Sequence, residues 1–134
     1  MSVVEQLRTL ILIYGSAAKL SNASSLSPYS ISRIRRGITK GSITNQRRIR
    51  SLYSRNAKHY AFQPVFKVLG GANPDDHVTG RLTKLEYLRD EISRMTDDML
   101  QLYNTDLQLV RVKRFSLVEK KRKSSWDGRS GRQR

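Results

Sequence analysis

The sequence predicts a mainly α protein: an N-terminal bundle of four or five helices, then a long coiled-coil-like helix, then a disordered basic tail. Three observations predict it. Apolar residues recur at helical spacing through the first part of the chain, with serines and glycines at the breaks. From Leu85 onward, leucine, isoleucine and methionine repeat every seven residues. Past residue 118, lysine, arginine, serine and glycine dominate, a composition with too few apolar groups to fold.

Val3, Val4, Leu7, Leu10, Ile11 and Tyr14 line one face of a first helix that stops at Gly15, and Leu12 and Ile13 make it apolar nearly all round. Ser16 can cap a shorter second helix through Ala17, Ala18, Lys19 and Leu20, because a serine oxygen accepts from free backbone amides. The small residues Ala23, Ser24 and Ser25 then permit a tight corner. Ser27 followed by Pro28 starts a third helix, and Gly37 ends it. On that helix Ile31 and Ile34 share one face, while Tyr29, Arg33 and Arg36 project from the opposite one. One face packs and the other is basic. A loop over residues 38–42 leads to Ser42, the cap of a fourth helix over about residues 43–58. Ile49, Leu52 and Tyr53 point inward from it, and Arg47, Arg48, Arg50 and Arg55 load it with charge.

Residues 18–37 resemble the helix-turn-helix unit of the phage-repressor (Cro-like, XRE) family, with its pattern L-A-x-x-x-G-V-S-x-x-x-I-S-R-I-x-x-G. Leu20, Leu26, Ser27, Ile31, Ser32, Arg33, Ile34 and Gly37 match without a gap. Ser21, Ser24 and Ser25 depart from it, standing where the family prefers alanine, an apolar residue and the turn glycine. The resemblance covers about residues 3–53. It implies a recognition helix over about residues 28–36 in the major groove, with Pro28, Tyr29, Ser32 and Arg33 reading bases. It further implies phosphate contacts from Ala17, Lys19, Ser27, Arg36, Thr39, Lys40, Ser42, Asn45, Arg47 and Arg48. Free amides at the start of the fourth helix would assist anion binding. The competing reading is an ordinary helical hairpin whose arginines are solvated.

From residue 59 to 80, Tyr60, Phe62, Val65, Phe66, Val68 and Leu69 are read as a short helix closing the domain, broken or started by Pro64. The glycine-rich stretch after it is a connector. Asp75, Asp76 and His77 have metal-ligand side chains, but three neighbours in a loop are read as helix punctuation, and no metal or cofactor is expected. The domain plan is therefore 1–70, a helix-turn-helix domain; 71–80, a linker; 81–118, a helical oligomerisation segment; and 119–134, a basic tail. Within the third part, Leu85, Ile92 and Met99 form one seven-residue series and Leu88, Met95, Leu102 and Leu109 another, offset by three. That is the seam of a dimer or higher homo-oligomer, or of a long helix folded back on its own N-terminal domain. Residues 110–117 alternate loosely, as a strand or a fraying helix end. In the tail, Lys120, Lys121, Arg122 and Lys123 form a phosphate-binding arm, a nuclear-import signal or a solubilising run.

The charge is uneven. Of a net +15, residues 1–60 carry eleven Lys and Arg against one acid, residues 61–110 carry five against eight, and residues 111–134 carry ten against two. Two basic segments flank a near-neutral one, as expected for a chain that meets a polyanion. The longest strongly apolar run, residues 10–14, is far shorter than the roughly 20 residues of a membrane-spanning helix, and the N-terminus has no signal-peptide pattern. A cytoplasmic, DNA-associated protein of bacterial or phage origin is expected. The absence of cysteine excludes disulfides, thiolate catalysis and cysteine-containing zinc fingers. With only His59 and His77 and no nucleophile, acid-pair or phosphate-loop pattern, no enzyme is expected. The resemblance and the charge together imply a sequence-specific double-stranded DNA-binding regulator, a repressor acting as a dimer. The alternatives are a DNA-recognition component of a larger assembly, such as a small terminase, replication or partition protein, and RNA binding through the tail.

Overall fold

A computed structural model describes residues 1–70, Asn73 and residues 75–117; Lys120, Lys121, Arg122 and Lys123 lie outside the described residues. Four helices come first: α1 (Val3–Tyr14), α2 (Ala17–Ala23), α3 (Pro28–Arg35) and α4 (Ile43–His59). Each begins on a serine. Ser2, Ser16, Ser27 and Ser42 accept from the amides of Glu5, Lys19, Ser30 and Asn45 at 3.1 Å each. Every cap uses a side-chain oxygen to satisfy an amide that the first helical turn leaves free.

The remainder corrects the expectation of a mainly α chain. Beyond α4 come β1 (Tyr60–Leu69), β2 (His77–Thr79), a short 3-10 helix (Leu85–Tyr87), α5 (Leu88–Tyr103) and β3 (Asp106–Ser116). The strands form an antiparallel sheet in the order β2-β1-β3. The segment expected to close the domain as a helix is the central strand, although it contains proline.

A proline removes one ladder donor and is normally confined to sheet edges or bulges. Here the loss is made good locally. The Pro64 carbonyl accepts from the Gly80 amide at 2.9 Å, and the Gly80 carbonyl accepts instead from Gln63 Nε2 at 2.9 Å. Gly80 is needed for that approach, because a Cβ there would lie 2.7 Å from Pro64 Cγ and 2.9 Å from Glu91 Oε2. On the other side of β1 the register with β3 shifts between Val65 and Phe66, which relieves the pairing just beyond the proline.

The expected long helix is also shorter. It ends at Tyr103, where Asn104 takes left-handed backbone (φ 50°) and its amide donates to the Leu100 carbonyl at 3.0 Å. The seven-residue series is therefore divided among three elements: Leu85 on the 3-10 helix, Leu88 to Leu102 on α5, and Leu109 on β3. Leu85 and Leu88 are buried in the chain's own core, Ile92 and Leu109 pack against it, Met95 and Met99 are half-buried, and Leu102 is 71% exposed.

That core is continuous. Leu7, Leu10, Leu20, Ile31, Ile34 and Ile49 from the four helices join Phe62, Leu85, Leu88 and Val112 from the second half in one cluster. The stretch read as a linker holds the β1–β2 connection: Asp75 N and His77 Nδ1 bond to Asn73 Oδ1 and the Asp75 carbonyl, and β2 then pairs with β1. Asp75, Asp76 and His77 thus punctuate a strand rather than a helix, and among the described residues no three metal-ligand side chains converge. No helix among the described residues is long and apolar enough to cross a membrane.

Candidate nucleic-acid interface

The candidate interface is built on α3. Ile31 and Ile34 are fully buried, which turns Tyr29, Ser32, Arg33 and Arg36 outward. Tyr29 is 70% exposed, and the Arg33 guanidinium lies 5.5 Å from the centre of its ring. The two side chains one turn apart thus form a joint aromatic and cationic surface with in-plane donors on its edge.

Both ends of α3 are secured. At the start, Ser27 Oγ accepts the Ser30 amide and donates to Ser30 Oγ at 3.0 Å. At the end, Arg8 from α1 donates to the Arg35 carbonyl through Nε at 3.1 Å and through a terminal nitrogen at 2.9 Å. A cation at a helix C-terminus meets the negative end of the helix dipole. Arg8 and Arg35 are 27 residues apart, and no local pattern in the sequence marks them as partners.

The three serines that depart from the family pattern form hydrogen bonds at the corner. Ser21 Oγ donates to the Leu26 carbonyl at 2.9 Å, Ser24 Oγ accepts from the Leu26 amide at 3.2 Å, and the Ser25 carbonyl accepts from Arg48 at 3.3 Å. Leu26 is thereby held by both backbone groups while its side chain enters the core.

After α3 the chain turns at Gly37 and Gly41, both with positive φ. A Cβ at Gly41 would lie 2.6 Å from Ile34 Cδ1, so the loop approaches α3 as only glycine permits. Thr39 Oγ1 and Ser42 Oγ already accept from the amides of Gly41 and Asn45. Lys40, at the loop's tip, is exposed.

The phosphate candidates do not form a single set. Arg36, Thr39, Lys40, Ser42 and Asn45 follow the α3 face, and Ala17 and Lys19 open α2, with the Lys19 stem near the Gly15 turn. Arg47 and Arg48 instead line a cleft against the α2–α3 corner, together with Arg55. The sequence marks Arg55 only as charge on the fourth helix, and its spacing of eight from Arg47 is the signal that puts the two on one face. Among the described residues, ion pairs occur only on α5, between Arg94 and both Glu91 and Asp98, so none of these N-terminal cations has a carboxylate partner.

Comparison with family models, curated proteins and solved structures finds no match to this chain.

Proposed function

We propose that this protein is a sequence-specific double-stranded DNA-binding regulator, a repressor that inserts α3 into the major groove as a dimer. The observation that carries the reading is the outward face of α3: Tyr29, Ser32 and Arg36 exposed, with half-buried Arg33 against the Tyr29 ring, on a capped helix that Ile31 and Ile34 anchor in the core. A helix held from behind, with arginine toward solvent, has the form needed to read the O6 and N7 edge of guanine. Eleven cations against one acid in residues 1–60 supply the sequence-independent attraction to phosphate. The resemblance of residues 18–37 to the phage-repressor pattern supports the same reading.

Dimerisation is proposed through the end of α5, where Leu100, Leu102 and Tyr103 are exposed, rather than through the Leu85 and Leu88 positions, which the core already occupies.

Selection of bound duplexes from a random pool tests the reading, and an inverted-repeat motif is the expected result. Arg33→Ala should cost about 1 to 3 kcal/mol on the selected site and relax one base position. An equal loss on random duplex would remove Arg33 from base reading.

A further inference from the structure

We propose that the cleft between the α2–α3 corner and α4 binds a nucleoside phosphate, with its phosphates on Arg47, Arg48 and Arg55 and its base toward Tyr14 and Tyr60. The cleft measures about 590 Å³ and is lined along α4 by Thr44, Arg47, Arg48, Ser51 and Arg55. That volume falls in the range of about 300 to 1,000 Å³ typical of small-ligand sites. No residue of α3 lines it, so it is distinct from the proposed base-reading face.

Its electrostatics require an anion. Among the described residues three guanidinium groups share the lining with no carboxylate, and the one acid in residues 1–60, Glu5, sits in the first turn of α1. Like charges on one helix face repel, and a multiply charged phosphate relieves that repulsion while accepting several charge-assisted hydrogen bonds. Arg48 keeps a neutral acceptor, the Ser25 carbonyl, at 3.3 Å, a length that a phosphate oxygen would improve on. The hydroxyls of Thr44 and Ser51 add donors that suit phosphate or ribose oxygens.

The nucleoside part follows from what adjoins the cleft. A second cavity of about 220 Å³ shares Ala23, Leu52 and Arg55 with the first and is otherwise lined by Tyr14, Asn56, Tyr60 and Arg114. Arg114 of β3 lies 4.4 Å from the Tyr60 ring centre and 5.6 Å from that of Tyr14. Its guanidinium is held in place by a 3.0 Å bond to Asn56 Oδ1, and Asn56, 2% exposed, is itself fixed by bonds to the Leu52 carbonyl and Tyr14 hydroxyl. The result is an aromatic and guanidinium surface beside Arg55, which lines both cavities, with Arg47 and Arg48 on the larger one. Stacking groups beside a phosphate-binding cluster are what a nucleotide offers surfaces to. A free phosphate would occupy only the larger cavity.

This inference does not rest on the DNA-binding reading, because the ligand is titrated without DNA. Calorimetry on the full chain with ATP, inorganic pyrophosphate and adenosine as probes tests it. ATP should saturate one site per chain, with pyrophosphate and adenosine each weaker by about tenfold or more. Arg55→Ala and Arg47→Ala should each weaken ATP about tenfold with unchanged circular dichroism, since both side chains are exposed. Arg33→Ala should leave ATP binding as it is. No saturable ATP binding below millimolar concentration, or full affinity in Arg55→Ala, would overturn the site. Pyrophosphate binding as tightly as ATP would overturn the nucleoside assignment. A random-sequence duplex that loses as much affinity as ATP in Arg55→Ala would assign these arginines to the DNA backbone and overturn the small-ligand reading.

Discussion

Each of the first four helices starts on a serine that accepts an amide three residues ahead, whereas β1 is held opposite β3 by pairings such as Tyr60 with Ser116 and Pro64 with Val112. The N-terminal region is thus specified locally and the C-terminal region by contacts across nearly half the chain. Their charges differ as well: among the described residues the N-terminal cations have no carboxylate partner, while on α5 Arg94 is paired with Glu91 and Asp98. Surface charge left unpaired remains available to a polyanion, and paired charge contributes to the fold instead. One region presents chemistry and the other braces it.

The sharpest way to break this contrast is to test whether the two regions can separate. Phe62 on β1 is fully buried in the cluster that includes Leu7, Leu10 and Ile31. Phe62→Ala should therefore cost about 3 to 5 kcal/mol, and α1 to α4 should melt together with the sheet in one transition. Helical signal that survives loss of the sheet would mean that the N-terminal region folds independently.

The paired charge comes next in size. Glu91, 8% exposed, accepts from Arg94 at 2.7 and 2.9 Å and from the Arg81 amide at 2.6 Å. The Arg94 hydrogen bonds outweigh the opposing effect of burial and hold the carboxyl below its ordinary value of 4.5. A depressed carboxylate stabilises the fold above the unfolded pKa and loses that contribution as pH falls through the folded one. Glu91→Gln should cost about 1 to 2 kcal/mol near neutral pH, the lower part of the range for charged hydrogen bonds because Arg94 is partly in water. Denaturation series should show the gap between variant and parent narrowing as pH drops below about 4.5. A gap constant with pH would exclude a charge effect.

Ser27→Ala removes the cap of α3 and should lower stability by about 1 kcal/mol, with weaker DNA binding because the helix start is loosened. Smallest of all, Asn104→Gly should alter stability by less than about 0.5 kcal/mol, since glycine tolerates the same left-handed backbone. Asn104→Val, which strains that backbone, should cost about 1 to 2 kcal/mol. Equal stability of the two Asn104 variants would show that backbone strain there is unimportant.

The starts of α2, α3 and α4 and the inward residues Ile31, Ile34, Ile49 and Leu52 were legible in the sequence because caps and helical faces depend on neighbours a few residues away. So was the outward direction of Tyr29, Arg33 and Arg36. The central strand was not, although a strand was one reading of residues 110–117, which overlap β3. Pro64 reads as the break or start of a helix, and its place in a strand depends on Gln63 and Gly80 meeting in space. The heptad series looked continuous because periodicity does not reveal that Asn104 turns the chain left-handed and returns Leu109 to the same core.

By itself, then, the sequence determined where α2, α3 and α4 start, which faces the first four helices bury and where the cations lie unopposed, all consequences of local hydrogen bonding and composition. Only the tertiary structure decided that Leu85 and Leu88 close a core instead of a dimer seam, and that Arg114 of β3 arrives beside Tyr14, Asn56 and Arg55. The physical reason is that strand pairing and its register join residues distant in the chain, and each half of such a contact looks, alone, like an ordinary exposed or apolar side chain.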